Sequence, residues 1–190
     1  LLGVDFRVPR GAAHHFFQEP HLGQTWHSDG LSGRGYDVRE LQCYYYPHSV
    51  ALEDGPTMVL PGSHCRAVDR EAIAHYGDIL GQVSLVVAAG TVVLTRYGIW
   101  HKAGPKINDR PRSMIKFSYH RQATPVRDWH AAEGDPPPYR DRPRFPYVTE
   151  VESYRDRVRR MRTWKWLCGL DEDVELRWEQ SEAVSKLNHT

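Results

Sequence analysis

The chain has 190 residues, of which 40% are hydrophobic, which is enough for one domain with a buried core and too short for two full domains. Its formal net charge is only +1, so no basic field favours a nucleic acid or a membrane surface, and we expect a small-molecule partner. The three cysteines show no CxxC spacing, so we expect a cytoplasmic protein without a disulfide framework or a structural zinc site. No apolar run approaches the roughly 20 residues that span a bilayer, so we expect no membrane span.

Residues 1–130 alternate short apolar or β-branched runs with glycine, proline and aspartate, which is typical of an all-β sandwich or barrel. The opening residues 1–6 also favour a strand, and residues 69–80 contain enough helix formers for one short helix. The other predicted strands cover residues 41–46, 57–60, 83–87, 91–95 and 113–119. The expected fold class of this region is therefore mainly β.

Residues 131–190 form a second region, in which a proline-rich connector at 133–146 precedes helix signals. A capping box of Thr149 and Glu152 predicts the start of a helix that ends near Gly169, and a second helix is predicted from Asp171. The apolar stripe of the first helix consists of Val151, Tyr154, Val158 and Met161, continuing to Trp164 or Lys165, and that of the second helix of Val174, Trp178 and Val184. We expect these helices to pack on the core or on a partner subunit, which would make a homodimer.

The triplet His27-Ser28-Asp29 can supply two ligands to one metal ion. In an extended segment, residues two apart point to the same face, so both side chains can reach one ion. An imidazole together with a carboxylate suits Fe(II), Mn(II) or Co(II), and the thiolates of a structural zinc site are missing from the motif. Taken alone, the triplet fits a loop histidine hydrogen-bonded to a neighbouring carboxylate at least as well, so that alternative stays open.

A second segment can complete such a site. His101 follows the strand predicted over residues 91–95, and Arg110 and Arg112 precede the last predicted strand, so a histidine and an arginine can face one barrel interior. Iron held by two histidines and one carboxylate keeps three positions open, as O2 and a bidentate 2-oxo acid need. A guanidinium would then pair with the remote carboxylate of 2-oxoglutarate.

Four ordered blocks between about residues 20 and 120 resemble the phytanoyl-CoA dioxygenase family. They are Trp26-His27-Ser28-Asp29, Tyr44-Tyr45-Tyr46 with Glu53-Asp54-Gly55-Pro56-Thr57, Leu60-Pro61-Gly62-Ser63-His64, and His101-Lys102-Ala103-Gly104-Pro105 with Asp109-Arg110-Pro111-Arg112. The resemblance implies a double-stranded β-helix (jelly-roll) core, to which residues 131–190 would add a C-terminal helical extension. It also implies an oxygenase that uses Fe(II), 2-oxoglutarate and O2 to hydroxylate an unactivated C–H bond of a small molecule, with release of succinate and CO2.

The same resemblance assigns the catalytic metal ligands and the 2-oxoglutarate anchor. His27 and Asp29 match the first two ligands of the family, and His101 matches the distal ligand. Arg112 lies eleven positions after His101, where family members place the arginine that binds 2-oxoglutarate. The competing Arg110 precedes a proline, which favours a turn, whereas Arg112 opens the strand on its expected inner face.

The chain departs from the family pattern at two points. Ala103 stands where many relatives carry a small hydroxyl residue that supports the 2-oxo acid, so one supporting hydrogen bond to the co-substrate is expected either to be absent or to come from Thr91 or Thr95. Relatives also usually carry a longer N-terminal region that completes the barrel, and we expect this region to be missing here. An inactive fragment of such an oxygenase is therefore one alternative function.

Two further alternatives share the same residues. A halogenase of this type requires an open coordination position in place of the carboxylate, and Asp29 fills that position. A cupin-like module that only binds a metal or another ligand would have no need for an inward Arg112. Among the neighbouring residues, His64 is interpreted as part of a structural turn, and Tyr97 and Trp100 are candidates for the pocket wall.

Overall fold

The computed structural model describes residues 1–3, 5–8, 10–30, 36–65, 70–127 and 150–170, which form a mainly β fold. The strands are β1 (Ala13–Phe17), β2 (Glu40–Tyr45), β3 (Thr57–Leu60), β4 (Val83–Ser84), β5 (Val92–Arg96), β6 (Trp100–Ala103) and β7 (Arg112–His120). The helices are α1 (Arg70–Ala74), α2 (Glu150–Leu167) and a 3-10 helix (Ser63–Cys65). Within the residues described, no helix has the length and apolar character needed to cross a bilayer.

The strands pair into two antiparallel sheets. Four strands form the larger sheet in the order β1-β7-β2-β5, and three form the smaller sheet in the order β4-β3-β6. The central strands β2 and β7 pair from Glu40 opposite His120 to Tyr45 opposite Ile115, with Tyr44 opposite Lys116. Because side chains alternate along a strand and opposite residues share a face, this register puts every second residue of β2 and β7 on one face of the sheet.

The main hydrophobic cluster joins the two sheets. The larger sheet contributes Tyr44 of β2 and Met114 of β7, and the smaller sheet contributes Val59 of β3. All three side chains are buried. Burying a large apolar side chain stabilises a fold by about 1.5–3 kcal/mol, so this cluster holds the inner faces of β2 and β7 against the smaller sheet.

Most strand predictions are confirmed. The predictions over residues 41–46, 57–60, 91–95 and 113–119 correspond to β2, β3, β5 and β7 to within one residue. The prediction over 83–87 is too long, because the amide of Val86 bonds back to the carbonyl of Ser84 and interrupts the strand. Pairing resumes only at Val87, as an isolated bridge with Val50.

Of two other local predictions, one is wrong and one is confirmed. The residues that are described between positions 1 and 6 form no strand. The short helix expected within residues 69–80 is α1, which ends at Ala74. There the amides of His75 and Tyr76 bond to carbonyls three residues back, a tighter 3-10 pattern that closes the last turn.

Helix α2 ends where the sequence predicts, at a glycine cap. Gly169 has a φ of +74°, in the left-handed region that glycine adopts without strain. Its amide bonds to the carbonyl of Trp166 at 2.9 Å, and the amide of Leu170 bonds to the carbonyl of Lys165 at 3.0 Å. These two bonds are those of a Schellman motif, which satisfies carbonyls at the end of the helix.

Helix α2 packs on the sheet through its last turn, and the described part of the predicted apolar stripe includes the half-buried Val158 and Trp164. Trp166 and Leu167 are buried in a cluster with Val38, whereas Met161 of the predicted stripe is 37% exposed. The side chains of Val151 and Tyr154, the connector predicted at 133–146 and the second helix predicted from Asp171 lie outside the described residues.

Replacing Trp166 with alanine should lower the free energy of unfolding by about 3–5 kcal/mol. Its ring is 5% exposed, and the guanidinium groups of Arg39 and Arg121 lie 5.6 and 5.8 Å from its centroid, so the variant loses both packing and cation–π contacts. Urea unfolding measures the difference. Met161→Ala is the matched control at an exposed position and should change stability by less than about 1 kcal/mol; equal losses in both variants would contradict this packing.

Candidate metal centre

Two histidines that are far apart in the sequence face each other beside β6. The amide of His27 donates to the carbonyl of His101 at 3.1 Å, and the amide of His101 donates to the carbonyl of His27 at 2.9 Å. The segment around His27 thereby adds one antiparallel bridge to β6. Directly opposite residues of such a pair share a face, and the two imidazole centroids accordingly lie 4.4 Å apart.

Both imidazoles are held in the tautomer that makes Nε2 the metal-binding atom. Nδ1 of His27 lies 2.9 Å from the carbonyl oxygen of Thr25, and Nδ1 of His101 lies 3.1 Å from that of Ile99. Because a carbonyl can only accept, Nδ1 carries a proton in each ring, and Nε2 is the nitrogen that is left to bind a metal. Burial lowers the pKa of His101 to about 4, so this ring is neutral at physiological pH.

Asp29 adds a carboxylate to the two imidazoles. Its Oδ2 lies 3.6 Å from Nε2 of His101, and the ligand atoms of His27, Asp29 and His101 all lie within 4.8 Å of one another. Burial alone would raise the pKa of Asp29, but the hydrogen bond from Lys116, the proximity of His101 and the hydrogen bond from Gln42 together lower it. A carboxylate beside two imidazoles is a donor set that suits Fe(II).

Arg112 is a buried cation without a carboxylate partner among the described residues. Its side chain is 1% exposed, its Nη2 donates to Oγ1 of Thr57 at 2.5 Å, and its Cζ lies 5.4 Å from the centre of the Phe17 ring. Its Nε finds no hydrogen-bond partner in the part of the chain described. Burial lowers the pKa of Arg112. Because an uncompensated buried cation is costly, the position fits an anionic ligand.

One small cleft joins the histidine pair to Arg112. Its walls include His15 and Phe17 of β1, Gln24, His27, Thr57 of β3, His101 and Ala103 of β6, and Arg112, Met114 and Lys116 of β7. Strand β7 thus lines the cleft with alternate side chains, as its pleat requires. A group that can hold a cation and a group that needs an anion therefore share one cavity.

Sequence comparison with known families gives a direct match. The model of the family described as phytanoyl-CoA dioxygenase (PhyH) matches residues 7–114, which is more than half of the chain. The chain belongs to the phytanoyl-CoA dioxygenase family. Enzymes of this family are dioxygenases that use Fe(II), 2-oxoglutarate and O2, and both the donor set and the buried Arg112 fit these groups. No curated protein matches the chain in sequence at a significant level.

Solved structures share the PhyH-like fold of this chain. ThoJ, a non-haem monooxygenase solved in its apo form, has a TM-score of 0.53 at 18% identity, over 89% of this chain and 69% of ThoJ. AviO1 from Streptomyces viridochromogenes Tue57 has a TM-score of 0.51 at 20% identity, over 63% of this chain and 53% of AviO1. EvdMO1 has a TM-score of 0.53 at 20% identity, over 64% of this chain and 29% of EvdMO1. The chain thus spans about half of AviO1 and less of EvdMO1.

Of the two arginines in the PhyH motif, Arg110 is engaged outside the cleft. Its Nε and Nη2 donate to the two carboxylate oxygens of Asp54, and its side chain is 51% exposed. The buried Asp54 also accepts from Nδ2 of Asn108 at 2.9 Å and from the amide of Ala51 at 2.6 Å. The hydrogen bonds, foremost that from Arg110, hold the pKa of Asp54 well below its usual range. Arg110 therefore anchors the loop that leads into β7.

Replacing Asp54 with asparagine should lower the free energy of unfolding at neutral pH by about 2–4 kcal/mol, because a buried charge-assisted network loses its acceptor. The pKa of Asp54 is lower in the folded state than in the unfolded state. Its contribution to the free energy of unfolding is therefore complete above the unfolded-state pKa and is lost as the pH falls towards the folded-state pKa. The difference from wild type in urea unfolding should therefore shrink progressively below about pH 4. Asp78→Asn is the control at a side chain that is 83% exposed, and should change little at any pH. A pH-independent difference for Asp54→Asn would contradict this account.

The two threonines named as possible contacts of the co-substrate lie in β5 and in the turn before it. Thr91 donates its hydroxyl to the carbonyl of Ala88 at 2.7 Å in the turn before β5. Thr95 is buried opposite Gln42 in the pairing of β5 with β2. Neither residue lines the cleft. The threonine that contacts the guanidinium is instead Thr57, which the PhyH motif places after Gly55-Pro56.

The other residues singled out near the ligands are mostly structural. Trp100 packs in a hydrophobic cluster with Trp26 and does not line the cleft. The ring of Tyr97 lies against Gly30, directly after the ligand motif, where a Cβ would collide with it. Position 30 therefore requires glycine. His64 lies in the 3-10 helix, in agreement with its interpretation as part of a turn.

Sequence reasoning missed the residues that contact Asp29 from the larger sheet. Nε2 of Gln42 and Nζ of Lys116 each donate to Oδ2 of Asp29 at 2.5 Å. A signal for both exists in the strand pattern: Lys116 shares parity with Arg112 on β7, and Gln42 shares parity with the buried Tyr44 on β2. Parity alone does not reveal which strands are neighbours, so the contact itself is visible only in the fold.

Proposed function

We propose that this protein is an Fe(II)- and 2-oxoglutarate-dependent dioxygenase that hydroxylates an unactivated C–H bond of a small molecule and releases succinate and CO2. We further propose that its two sheets belong to a double-stranded β-helix. One observation carries the proposal: His27 and His101, which form a possible metal site with Asp29, line the same cleft as Arg112, a buried arginine that lacks a carboxylate partner among the described residues. A simple metal-binding site needs only the first feature, and a dicarboxylate-binding site needs only the second.

In this proposal His27, Asp29 and His101 hold the iron through two imidazole nitrogens and one carboxylate oxygen. The carbonyls of Thr25 and Ile99 orient the two rings before any metal arrives. When bound, the iron, 2-oxoglutarate and O2 together supply the oxidising chemistry of the family. The chain would contribute the two imidazoles and the carboxylate as ligands, and His27 and His101 would hold the ion at the cleft that Arg112 also lines.

Arg112 binds the distal carboxylate of 2-oxoglutarate in this proposal. A planar guanidinium can pair with both oxygens of a carboxylate, which fixes the position of the acid as well as its charge. Thr57 holds one end of the guanidinium and Phe17 packs over its face, so its orientation is set in advance. This preorganisation reduces the entropy lost when the acid binds.

The alternatives explain fewer of these features. A halogenase would leave the carboxylate position open, whereas Asp29 lies within 4.8 Å of both imidazoles. A binding module without oxygenase chemistry gives no role to the buried charge of Arg112.

The setting of the enzyme is also a proposal. A net charge of +1 favours a small-molecule substrate over a nucleic acid or a membrane. The free thiols of Cys43 and Cys168 accord with a cytoplasmic location. A homodimer through the C-terminal helices would use the exposed side of α2, which carries Met161.

Labelled oxygen tests the proposal directly. Protein supplied with Fe(II), 2-oxoglutarate, ¹⁸O2 and a panel of small molecules should release succinate that carries one ¹⁸O atom, and a substrate in the panel should gain one hydroxyl with the same label. Metal-free protein provides the background. If succinate stays at that background for every member of the panel and without substrate, the proposed function is wrong.

A further inference from the structure

The cleft that holds the histidine pair has a strongly positive lining. Three of its side chains are full cations, namely Lys102, Arg112 and Lys116, and none of the described residues that line it is an aspartate or a glutamate. A concave surface lined by charges of one sign attracts ligands of the opposite sign. The cleft is therefore suited to anions, and the question is how many anionic groups it accepts.

Two of the three cations already have a partner. Arg112 binds the distal carboxylate of 2-oxoglutarate in the proposed function. The Nζ of Lys102 lies 3.3 Å from the carbonyl oxygen of Gly77, 3.6 Å from the carboxylate of Asp78 and 4.9 Å from the centre of the Trp26 ring. The charge of Lys102 is therefore balanced within the fold.

The third cation, Lys116, shares its carboxylate partner with the metal site. Its Nζ lies 2.5 Å from Oδ2 of Asp29, and its side chain is 11% exposed. Asp29 also belongs to the group that can hold a metal. Once Fe(II) and doubly charged 2-oxoglutarate are bound, the ion balances the acid, Asp29 balances Arg112, and the charge of Lys116 is left over. A mostly buried charge without a counter-charge is costly, so the loaded cleft favours one more anionic group.

Strand β1 adds a neutral hydrogen-bonding group beside Lys116. His15 lines the cleft and is directly opposite Met114 in the pairing of β1 with β7, so it shares a face with Arg112 and Lys116. Its Nε2 is buried and has no hydrogen-bond partner among the described residues. Burial, followed by the charges of Lys116 and Arg112, lowers the pKa of His15. The neutral ring therefore offers a hydrogen bond to a ligand without adding a charge.

Resting on the proposed function, we propose that the substrate carries a carboxylate, which binds Lys116 and accepts a hydrogen bond from His15. One surplus positive charge matches a carboxylate better than a phosphate monoester, which carries about −1.5 to −2 charges at pH 7. Lys116 and Arg112 are four residues apart on β7, about 13 Å along the strand. The substrate carboxylate and the distal carboxylate of 2-oxoglutarate therefore bind at opposite ends of one face. A neutral analogue leaves the charge of Lys116 unmatched, so the site discriminates against it.

Saturation-transfer NMR measures this preference without turnover. The protein is loaded with Zn(II), which replaces Fe(II) and is diamagnetic, and with saturating 2-oxoglutarate, which occupies Arg112. The probes are butyrate, hexanoate and phenylacetate, each paired with its primary amide. At least one acid should bind wild type about 10–100-fold more tightly than its amide, the range for hydrogen bonds to a charged group.

Variants of Lys116 locate the preference. In Lys116→Met, each acid and its amide should bind with affinities within about threefold of each other, because the cation is gone. Lys116→Arg keeps a cation and should keep most of the preference. The ratio of acid to amide affinity is the readout, since the loss of Lys116 from Asp29 also weakens metal binding. Weaker metal binding affects an acid and its amide alike.

Two further positions separate the charge of Lys116 from general effects on the cleft. Lys102→Met removes a cation that is already balanced by Asp78, so it should keep the wild-type ratio. His15→Leu should weaken acid binding by about 3–10-fold, and His15→Gln, which retains a donor, should weaken it less. Unchanged acid affinity in His15→Leu would contradict the role of His15.

Three results would overturn the inference while the proposed function stands: no preference of wild type for any acid over its amide, a wild-type preference in Lys116→Met, or tighter binding of phenyl phosphate than of every acid. A wild-type protein that binds no 2-oxoglutarate in the presence of Fe(II) would overturn the proposed function and this inference with it.

Discussion

Replacing Asp29 with alanine should abolish 2-oxoglutarate turnover and weaken Fe(II) binding by at least about 100-fold. Removal of a residue that only supports a metal ligand weakens metal binding by up to about 100-fold, and the loss of a ligand should have at least that effect. Within the residues described, Asp29 is the carboxylate in the three-residue group that can hold a metal. Its lowered pKa keeps it ionised at neutral pH, whereas His101 is neutral. The variant therefore loses the negative charge that offsets the cation. Anaerobic metal titration and succinate formation measure the two effects.

Asp37→Ala provides the matched control for this variant. Asp37 forms a surface ion pair with Arg39 at 2.7 Å, and its side chain is 39% exposed. Its removal should leave metal binding and turnover unchanged. The side chain of Asp29 is itself 24% exposed, so Asp29→Ala should keep the circular dichroism spectrum of the wild type. Normal metal binding by a folded Asp29→Ala protein would show that the ion is held elsewhere.

Replacing Arg112 with lysine should weaken 2-oxoglutarate binding by about 10–100-fold, because the charge remains and the bidentate pairing, worth about 1.5–3 kcal/mol, is lost. Arg112 lies buried beside Thr57 and Phe17. A lysine at this position has a single terminal nitrogen, so it cannot form the two parallel hydrogen bonds of a guanidinium to a carboxylate. Fe(II) affinity should be unaffected, since Arg112 is not one of the three residues that can ligate the ion. Separate titrations of Fe(II) and of 2-oxoglutarate distinguish the two effects.

Arg110→Lys is the paired control. Arg110 bonds to Asp54 outside the cleft, so its replacement should leave 2-oxoglutarate affinity near that of the wild type. If Arg110→Lys weakens 2-oxoglutarate binding and Arg112→Lys does not, the anchor is Arg110. If neither variant has an effect, the assignment of 2-oxoglutarate as co-substrate fails.

The sequence could predict those parts of the site that depend on neighbouring residues, but not the contacts between segments that are far apart in the sequence. His27 and Asp29 share a face for a local reason, the alternation of an extended segment. His101 could be added only by resemblance to a family motif, because its contact with His27 is a backbone bridge between distant segments. Gln42 and Lys116 were out of reach, since the register of β2 with β7 brings them together and periodicity does not encode that register.

The fold shows the same division between local and distant causes. The end of α2 was predictable because a glycine cap is a local signal at Gly169. The burial of Trp166 was not, because it depends on contacts with the distant Val38. Strand β1 has two histidines and lacks the β-branched residues that favour strands, so its sequence does not predict a strand. It forms a strand because it pairs with β7.

The most direct test of the central claim is an anaerobic titration of the purified protein with Fe(II) and 2-oxoglutarate, followed by visible absorption. A weak metal-to-ligand charge-transfer band requires metal, 2-oxo acid and two adjacent open coordination positions in one site. The band should appear in wild type and in Arg110→Lys only when both components are present, should need more 2-oxoglutarate in Arg112→Lys, and should be absent in Asp29→Ala. A folded wild-type protein that binds Fe(II) and shows no band at any 2-oxoglutarate concentration would contradict the claim that His27, Asp29, His101 and Arg112 form an oxygenase site.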